Sequence, residues 1–295
     1  MKDLEGRVAV VTGAASVIGK GMATRFAANG MKVVLADVEA PALDETAGAL
    51  RASGAQVASV VCDVSKPEAV EALARAAYDA FGAVHVLCNN AGVAGGSAGT
   101  ATWECSLDEW SWVMGVNLMG VIHGVRSFLP KMIAQGTEGH VVNTASMAGL
   151  IPGSGIYGVT KHAVVALSES LSNELTMRGT KLRVSVLCPG WVNTRIIESE
   201  RNRPEAPRQA PGAELAQFAM MRQIVEQLIA NGLDPQAVGD IVVEAIRSER
   251  FYVLTHPSWS NMIRHRMENI LEGRDPVGVM PPDSASWFPQ PPPQK

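Results

Sequence analysis

The sequence contains few cysteines, and their arrangement argues against the usual cysteine-based architectures. Four of the 295 residues are cysteine, and none of them lies in a Cys-x-x-Cys pair or at the cysteine and histidine spacing of a zinc site. Widely spaced cysteines of this kind are typical of reduced, buried thiols. We therefore expect a protein of a reducing compartment that holds no metal.

The chain also lacks a block of one charge and a long hydrophobic run. Its formal net charge is -4 without any Lys/Arg-rich segment, which gives no electrostatic basis for binding nucleic acid or an anionic membrane. No segment approaches the roughly 18 uncharged residues of a membrane span, and acidic residues occur at the N-terminus where a signal peptide is apolar. We expect a cytoplasmic protein with neither nucleic acid nor membrane as a partner.

Hydrophobic residues, 47% of the chain, form short β-branched runs that alternate with longer alanine-rich amphipathic stretches. This alternation predicts an α/β fold, a single doubly wound (Rossmann-like) domain with a parallel sheet and helices on both faces. The predicted strands are 8–12, 32–37, 56–62, 84–89, 140–145, 183–188 and 251–255.

The predicted helix ends carry recognisable start and stop signals. Gly30, Gly54 and Gly82 follow amphipathic stretches as C-terminal stops. Ser106 opens a Ser-Leu-Asp-Glu capping box, and Asp234 before proline predicts a cap with proline in the first turn.

Two segments depart from the alternation. The first lies within the main domain, residues 1–256, and the second follows it. Residues 196–232 begin with a polar, proline-containing stretch and continue into an apolar-faced helix from about residue 214. This segment is either a lid insertion or a variable surface loop. Residues 257–295 are a C-terminal extension, with a helix that packs on its own domain or on a neighbouring subunit and a disordered proline-rich tail.

Tyr157 and Lys161 are four residues apart in a predicted helix, which places a phenol and an ammonium on one helix face. A fixed cation favours the phenolate and lowers the pKa of a tyrosine, so the pair can exchange a proton with an alcohol or a ketone. Such a pair also occurs by chance on solvated helices, and other motifs must decide between the two interpretations.

A turn of small residues after the first predicted strand leads into a helix, which places backbone N–H groups where a pyrophosphate could bind. The turn contributes Gly13, Ser16, Val17, Ile18 and Gly19. Asp37, at the end of the second strand, matches the acidic residue of the dinucleotide fingerprint, although a helix N-cap is an alternative explanation. Its carboxylate repels a 2′-phosphate, and Ser16 and Val38 supply no cation, so NAD is preferred over NADP.

With these motifs, the chain resembles the short-chain dehydrogenase/reductase family over essentially the whole main domain. Asp63-Val64 is similar to the family's adenine contact, and Asn90-Ala91-Gly92 to its turn after the fourth strand. Residues 189–194 are similar to its loop after the sixth strand, where Thr194 would hold the nicotinamide carboxamide. The resemblance implies a dinucleotide-binding domain with cofactor contacts at Asp63, Val64, Asn90, Ala91, Gly92, Pro189, Gly190, Val192 and Thr194, beside Tyr157 and Lys161.

The resemblance also implies a catalytic group of Asn117, Ser146, Tyr157 and Lys161. Tyr157 exchanges the proton of the alcohol oxygen, while Lys161 lowers its pKa and binds the nicotinamide ribose. Ser146 stabilises the substrate oxygen, and the backbone carbonyl of Asn117 holds a water of the proton relay. Ser146 precedes Tyr157 by 11 residues where the family commonly has 13, so Thr144 remains the alternative.

Val17 stands where the family has the middle glycine of the turn. A β-branched residue adopts positive φ only at a cost, and its side chain lies next to the pyrophosphate. One alternative is therefore a cofactor-impaired member that acts as a binding or regulatory protein. A halohydrin-dehalogenase-like lyase is disfavoured, because those relatives have lost the nucleotide site and the lysine, while Asp37 and Lys161 are present.

The leading prediction is an oxidoreductase that transfers a hydride between NAD(H) and a hydrophobic secondary alcohol or ketone. The predicted substrate wall comprises Met147, Trp191, residues 93–103 and the lid, although Trp191 is equally consistent with a packed core aromatic. The resemblance implies a homodimer or homotetramer without metal.

Overall fold

The computed structural model describes residues 1–95, 101–204, 216–278 and 281–282, with the side chains of residues 216–222 excepted. Its strands are β1 (Val8–Thr12), β2 (Lys32–Asp37), β3 (Val57–Val61), β4 (Val86–Asn89), β5 (Gly139–Thr144), β6 (Leu182–Cys188) and β7 (Tyr252–Leu254). They form one parallel sheet in the order β3-β2-β1-β4-β5-β6-β7. This confirms the predicted doubly wound α/β fold.

The predicted strands agree with the observed ones to within two residues, and β1 and β2 match at both ends. Continuous apolar runs predicted burial on both faces, and in β1 the side chains of Ala9, Val10 and Val11 are fully buried. Sequence and structure agree here because a central strand has no solvent-facing side that would impose alternation.

The helices in the described residues are α1 (Val17–Ala28), α2 (Ala40–Ala52), α3 (Pro67–Phe81), α4 (Leu107–Met114), α5 (Gly120–Ala134), α6 (Gly155–Met177), α7 (Ala216–Ala230), α8 (Pro235–Ser248) and α9 (Ser260–Leu271). One core cluster lies under α1, α2 and α8, and a second lies under α3, α5 and α6. Close packing of α1 on α8 requires glycine, because a Cβ on Gly239 would lie 2.6 Å from the carbonyl oxygen of Gly21.

The predicted helix signals are confirmed where the structure tests them. Gly30, Gly54 and Gly82 follow α1, α2 and α3 with φ of 75°, 90° and 75°, which glycine adopts at low cost. Ser106 accepts a 3.2 Å hydrogen bond from the Glu109 backbone N–H at the start of α4. Asp234 caps α8 through the N–H of Gln236, with proline in the first turn.

The helical region that follows the predicted capping box contains a π-helical segment, Gly115–Met119, between α4 and α5. The wider turn is closed by the N–H of Gly120, which donates to the carbonyl of Gly115. A Cβ on Gly120 would lie 2.8 Å from Val64 Cγ2, so the end of the segment packs directly on the loop after β3. Amphipathic periodicity over this region does not reveal the one-residue bulge.

The two departing segments are described in part. The helix predicted from about residue 214 corresponds to α7, and residues 196–202 form a 3₁₀ segment, whereas the lid residues 205–215 lie outside the described residues. The predicted C-terminal helix is α9, and Trp259 and Met262 are buried against the chain's own core. The proline-rich tail from residue 283 lies outside the description. Within the described parts of the chain, every helix is too short or too polar to cross a bilayer.

Candidate active site

Tyr157 and Lys161 lie one turn apart near the start of α6. The Lys161 ammonium is 5.5 Å from the centroid of the Tyr157 ring and donates a 3.0 Å hydrogen bond to the carbonyl of Thr144 at the end of β5. Burial of this ammonium lowers its pKa to about 8. Lys161 is therefore close to its titration point at neutral pH and is fixed beside the phenol.

Tyr157 differs from the sequence expectation in the direction of its pKa shift. Lys161 was expected to lower the pKa, but burial of the phenol raises it, and a hydrogen bond from Ser146 offsets only part of that effect. The phenol is accordingly protonated at neutral pH and is a proton donor.

Ser146 and Thr144 occupy different environments although they are two residues apart. The Ser146 hydroxyl accepts from the N–H of Ala148 at 3.1 Å, and its single proton can be donated either to the carbonyl of Pro189, at 3.4 Å, or to Tyr157. The Thr144 hydroxyl instead donates to the Asn90 side chain at 3.2 Å. The structure thus brings Ser146, and not the Thr144 hydroxyl, to the phenol.

The Asn117 side chain lies in the π-helical segment and is completely buried. Its amide nitrogen donates to the carbonyl of Val93 at 2.9 Å and to Thr160 Oγ1 at 3.1 Å, and its oxygen accepts from the N–H of Val93 at 2.8 Å. The side chain therefore ties the loop after β4 to α6. This gives the mid-helix asparagine a structural reason, and Thr160 is a partner that sequence reasoning missed.

The small-residue turn that connects β1 to α1 packs so closely on neighbouring backbone that it leaves no room for side chains at two positions. Gly13 has φ of 66°, and a Cβ on it would lie 2.9 Å from Ala91 Cα. A Cβ on Gly19 would clash with the carbonyl oxygen of Gly13. Both glycines are needed for the turn to lie against the loop after β4, and Ile18 packs on the core below it.

Val17 begins α1 with φ of 48°, in the left-handed region. For a β-branched residue this conformation is a genuine outlier. The turn keeps the backbone that glycine favours at this position although the side chain opposes it. Strain is therefore stored at the first residue of the helix.

Asn90 and Thr12 join the ends of three strands. The Thr12 hydroxyl, at the end of β1, accepts from the N–H groups of Asn90 and Ala91 at 2.9 and 3.1 Å. The Asn90 side chain donates back to the carbonyl of Thr12 at 2.9 Å and accepts from Thr144. Gly92 follows with the Lys161 ammonium 3.3 Å from where its Cβ would lie. Thr12 is a positioning residue that the sequence motifs alone do not reveal, although it directly precedes Gly13.

Asp37 ends β2, and Asp63 lies two residues after the neighbouring strand β3. Asp37 accepts from the N–H groups of Ala15 and Glu39 at 2.9 and 3.0 Å, and burial raises the pKa of its carboxyl. Asp63 accepts from the N–H and hydroxyl of Ser65 at 2.9 and 2.7 Å. Val64, next to Asp63, is buried.

The loop after β6 passes behind Ser146. The Pro189 carbonyl accepts from the N–H of Met147 at 2.9 Å, and the Gly190 N–H donates to Thr255 Oγ1 at 3.0 Å. Val192 pairs with Leu233 in an isolated parallel bridge before the partly exposed Thr194. Pro189, Gly190, Val192 and Thr194 therefore lie at the same sheet edge as the other predicted site residues.

Trp191 and Met147 pack together with the C-terminal helix. The Trp191 ring meets the Trp259 ring edge-to-face at 5.9 Å, and both belong to an apolar cluster that includes Met147. Met147 is only 2% exposed and lies within that cluster, beside Trp191. Part of the predicted wall, residues 96–100, lies outside the described residues.

Comparison with known proteins agrees with this geometry. Residues 7–205 match the family model described as short chain dehydrogenase. The chain belongs to the short-chain dehydrogenase family.

Relatives in this family match nearly the full chain. A short-chain dehydrogenase/reductase from Burkholderia phymatum, solved in complex with NAD, is 46% identical with a TM-score of 0.89 over 95% of this chain and 99% of that one. A dehydrogenase/reductase of CLA biosynthesis from Lactiplantibacillus plantarum is 33% identical over 95% of this chain and 99% of its own length. The 1-deoxy-11-beta-hydroxypentalenate dehydrogenase of Streptomyces exfoliatus is 38% identical over 90% of this chain and 89% of its own.

Short-chain dehydrogenases bind nicotinamide cofactors, and the described residues fit such a group. Ser16 makes no side-chain cap at the start of α1, so N–H groups of the first turn are available to a diphosphate. Each Asp37 carboxylate oxygen accepts one backbone hydrogen bond and retains lone pairs for ribose hydroxyls. The site chemistry therefore fits a dinucleotide, with Val17 as a strained position in the turn.

Proposed function

We propose that this short-chain dehydrogenase interconverts a hydrophobic secondary alcohol and the corresponding ketone with NAD(H) as coenzyme. The observation that carries the proposal is that Ser146 and Lys161 both lie beside Tyr157 at the carboxyl edge of the parallel sheet. The acidic residue Asp37 lies at the same edge, at the end of β2. When bound, the nicotinamide supplies or accepts the hydride.

Tyr157 is the acid of the reductive direction in this proposal. Its raised pKa keeps the phenol protonated, so that it donates a proton to the carbonyl oxygen of a ketone. Ser146 donates a second hydrogen bond to the same oxygen and stabilises the charge that develops there. In the oxidative direction the phenol first loses its proton, and a positively charged Lys161 favours that loss. Asn117 holds the framework of this group and, through its backbone carbonyl, the relay water.

Preference for NAD over NADP is supported by charge at the end of β2. The Asp37 carboxylate is buried there, and the negative charge of Glu39 contributes to its raised pKa after burial itself. The Asp37 carboxylate would repel a 2′-phosphate. Asp63 and Val64 would contact the adenine, and Thr194 the carboxamide.

The substrate class is supported by the apolar surroundings of Ser146. The cluster with Trp191, Trp259 and Met147 supplies a hydrophobic boundary on that side. The Streptomyces relative is named for a hydroxylated pentalenate, which is consistent with a carbon skeleton larger than a simple alcohol.

We also propose a homodimer or homotetramer. Exposed apolar side chains occur on α4 and α6, where Leu107 and Met177 are 81% and 79% exposed. Sedimentation of the purified chain at several concentrations would test this, and a monomer at all of them would contradict it.

A second candidate function is supported by Val17 with its φ of 48°. A turn strained in this way is consistent with a cofactor-impaired protein that binds without turnover. Titration of the protein with NADH, followed by energy transfer from tryptophan to the nicotinamide, separates the two candidates. Saturable NADH binding together with NAD reduction by a panel of hydrophobic secondary alcohols supports the enzyme, and binding without turnover supports the alternative.

A further inference from the structure

The 3₁₀ segment Ile196–Asn202, called the strap here, follows the loop after β6 and reaches the end of β2. Arg201 places Nη2 and Nε 2.6 and 3.0 Å from Glu39 Oε1, and Asn202 Nδ2 donates to the same oxygen at 2.8 Å. Glu39 lies two residues after Asp37. Three donors from the strap therefore converge on one carboxylate beside the proposed ribose site.

The strap has a second anchor on the other side of β1. Ser199 is 3% exposed, and its hydroxyl accepts a 3.0 Å hydrogen bond from the N–H of Ala94 in the loop after β4. β2 and β4 are the two neighbours of β1, and all three strands are parallel. The two anchors consequently lie on either side of the small-residue turn that follows β1, so the strap crosses the crevice where a dinucleotide would lie.

Arg201 also organises the strap internally. Its Nη1 donates to the carbonyls of Arg195 and Glu198 at 3.3 and 3.1 Å. The Arg201 and Glu39 side chains are 27% and 25% exposed, whereas those of the Arg195 and Glu198 ion pair in the same segment are 56% and 54% exposed. Water screens the second pair more strongly, so we expect the first to be the stronger interaction.

The ionisation of Glu39 is consistent with its pairing to Arg201. Burial alone would raise the pKa of Glu39, but the hydrogen bonds from Arg201 and Asn202 bring it below its usual value. Glu39 therefore remains ionised, and its charge neutralises a guanidinium that would otherwise stand at the end of β2 without a partner there.

We propose that the Glu39–Arg201 ion pair is a latch that fastens the strap over the coenzyme. Together with Asp37, this latch determines the preference of the enzyme for NAD(H) over NADP(H). While Glu39 neutralises it, Arg201 offers no net charge to a 2′-phosphate, which would meet the Asp37 carboxylate and a neutral ion pair. Without the Glu39 charge, the same guanidinium is available to pair with that phosphate, since arginine binds phosphate in a bidentate manner. This inference rests on the proposed use of NAD(H).

The test compares dissociation constants of NADH and NADPH, measured by nicotinamide fluorescence, for the wild type, Glu39→Gln, Arg201→Met and the double variant. Glu39→Gln should lower the dissociation constant of NADPH relative to that of NADH by about five-fold or more, and the double variant should lose that gain in affinity. Arg201→Met should show no gain for NADPH but faster NADH release in stopped flow, because the strap is no longer fastened.

Glu198→Gln is the matched control, since it removes the same charge from the exposed pair in the same segment. It should leave the NADPH to NADH ratio unchanged, and the melting temperature of each free protein checks that it folds. An unchanged NADPH to NADH ratio of dissociation constants in Glu39→Gln would overturn the latch, and so would a gain in NADPH affinity that persists in the double variant. Neither result affects the proposed function as long as the wild type binds NADH. Failure of the wild type to bind either coenzyme would overturn both.

Discussion

The Lys161 ammonium donates a 3.0 Å hydrogen bond to the carbonyl oxygen of Thr144, across the junction of α6 and β5. A backbone carbonyl does not titrate, and a neutral amine still donates, so this bond persists on both sides of the Lys161 pKa. The Lys161 amino group is thereby held beside the Tyr157 ring in both its charged and its neutral form. The junction also leaves the Thr144 hydroxyl free to bind Asn90 instead of substrate.

Tyr157→Phe should reduce turnover by at least the roughly 100-fold that a general acid contributes, because it removes only the hydroxyl. The fold and NADH binding should stay close to those of the wild type, as measured by melting temperature and fluorescence titration. Turnover within a few-fold of the wild type would rule out Tyr157 as the proton donor.

Ser146→Ala should lower turnover far more than Thr144→Val, since only the Ser146 hydroxyl reaches the phenol. The valine substitution keeps the shape of threonine and removes its bond to Asn90, so its main expected effect is a lower melting temperature by loss of one buried hydrogen bond, about 1 kcal/mol. Steady-state kinetics of both variants decide the assignment. The opposite ranking would transfer the substrate role to Thr144.

The sequence predicts the elements that depend on local pattern and misses those that depend on distant partners. Strands, glycine stops and caps depend on nearby residues, so β1 and β2 were predicted to the residue. The pairing of Glu39 with Arg201 joins positions 162 residues apart, and no periodicity in either segment reveals it.

The direction of the Tyr157 pKa shift was missed for a related reason. Sequence spacing shows that Lys161 is a neighbour, but it does not show how far burial raises the pKa of the phenol. Likewise the π-helical segment around Asn117 arises from packing on Val64 and on the loop after β4, neither of which is near it in sequence.

Burial of Lys161 predicts a specific dependence of stability on pH. Its folded pKa of about 8 lies below the ordinary 10.5, so between these values the unfolded chain binds more protons and stability from this group rises with pH. Lys161→Met removes this contribution. The wild-type minus variant difference in unfolding free energy should therefore increase by about 2 kcal/mol from pH 7.5 to pH 9.5. Urea titrations at the two pH values measure it, and a difference that is flat or falls with pH would contradict the lowered pKa.

Val17→Gly should tighten NADH binding and also raise the melting temperature. A non-glycine residue at φ of 48° stores about 1–3 kcal/mol of strain, which exceeds the roughly 0.5–1 kcal/mol that a glycine costs through the entropy of the unfolded chain. Removal of the isopropyl group also lets the backbone approach a diphosphate closely. Calorimetric titration and thermal unfolding measure the two effects separately.

Val17→Ala is the control that separates the side chain from the backbone. Alanine removes the isopropyl group but still resists positive φ, so an affinity between those of valine and glycine would show that both contribute. If alanine binds NADH as tightly as glycine, the isopropyl group alone obstructs the diphosphate. If Val17→Gly binds NADH no more tightly than the wild type, the turn has already accommodated valine, and the cofactor-impaired function loses the observation that supports it.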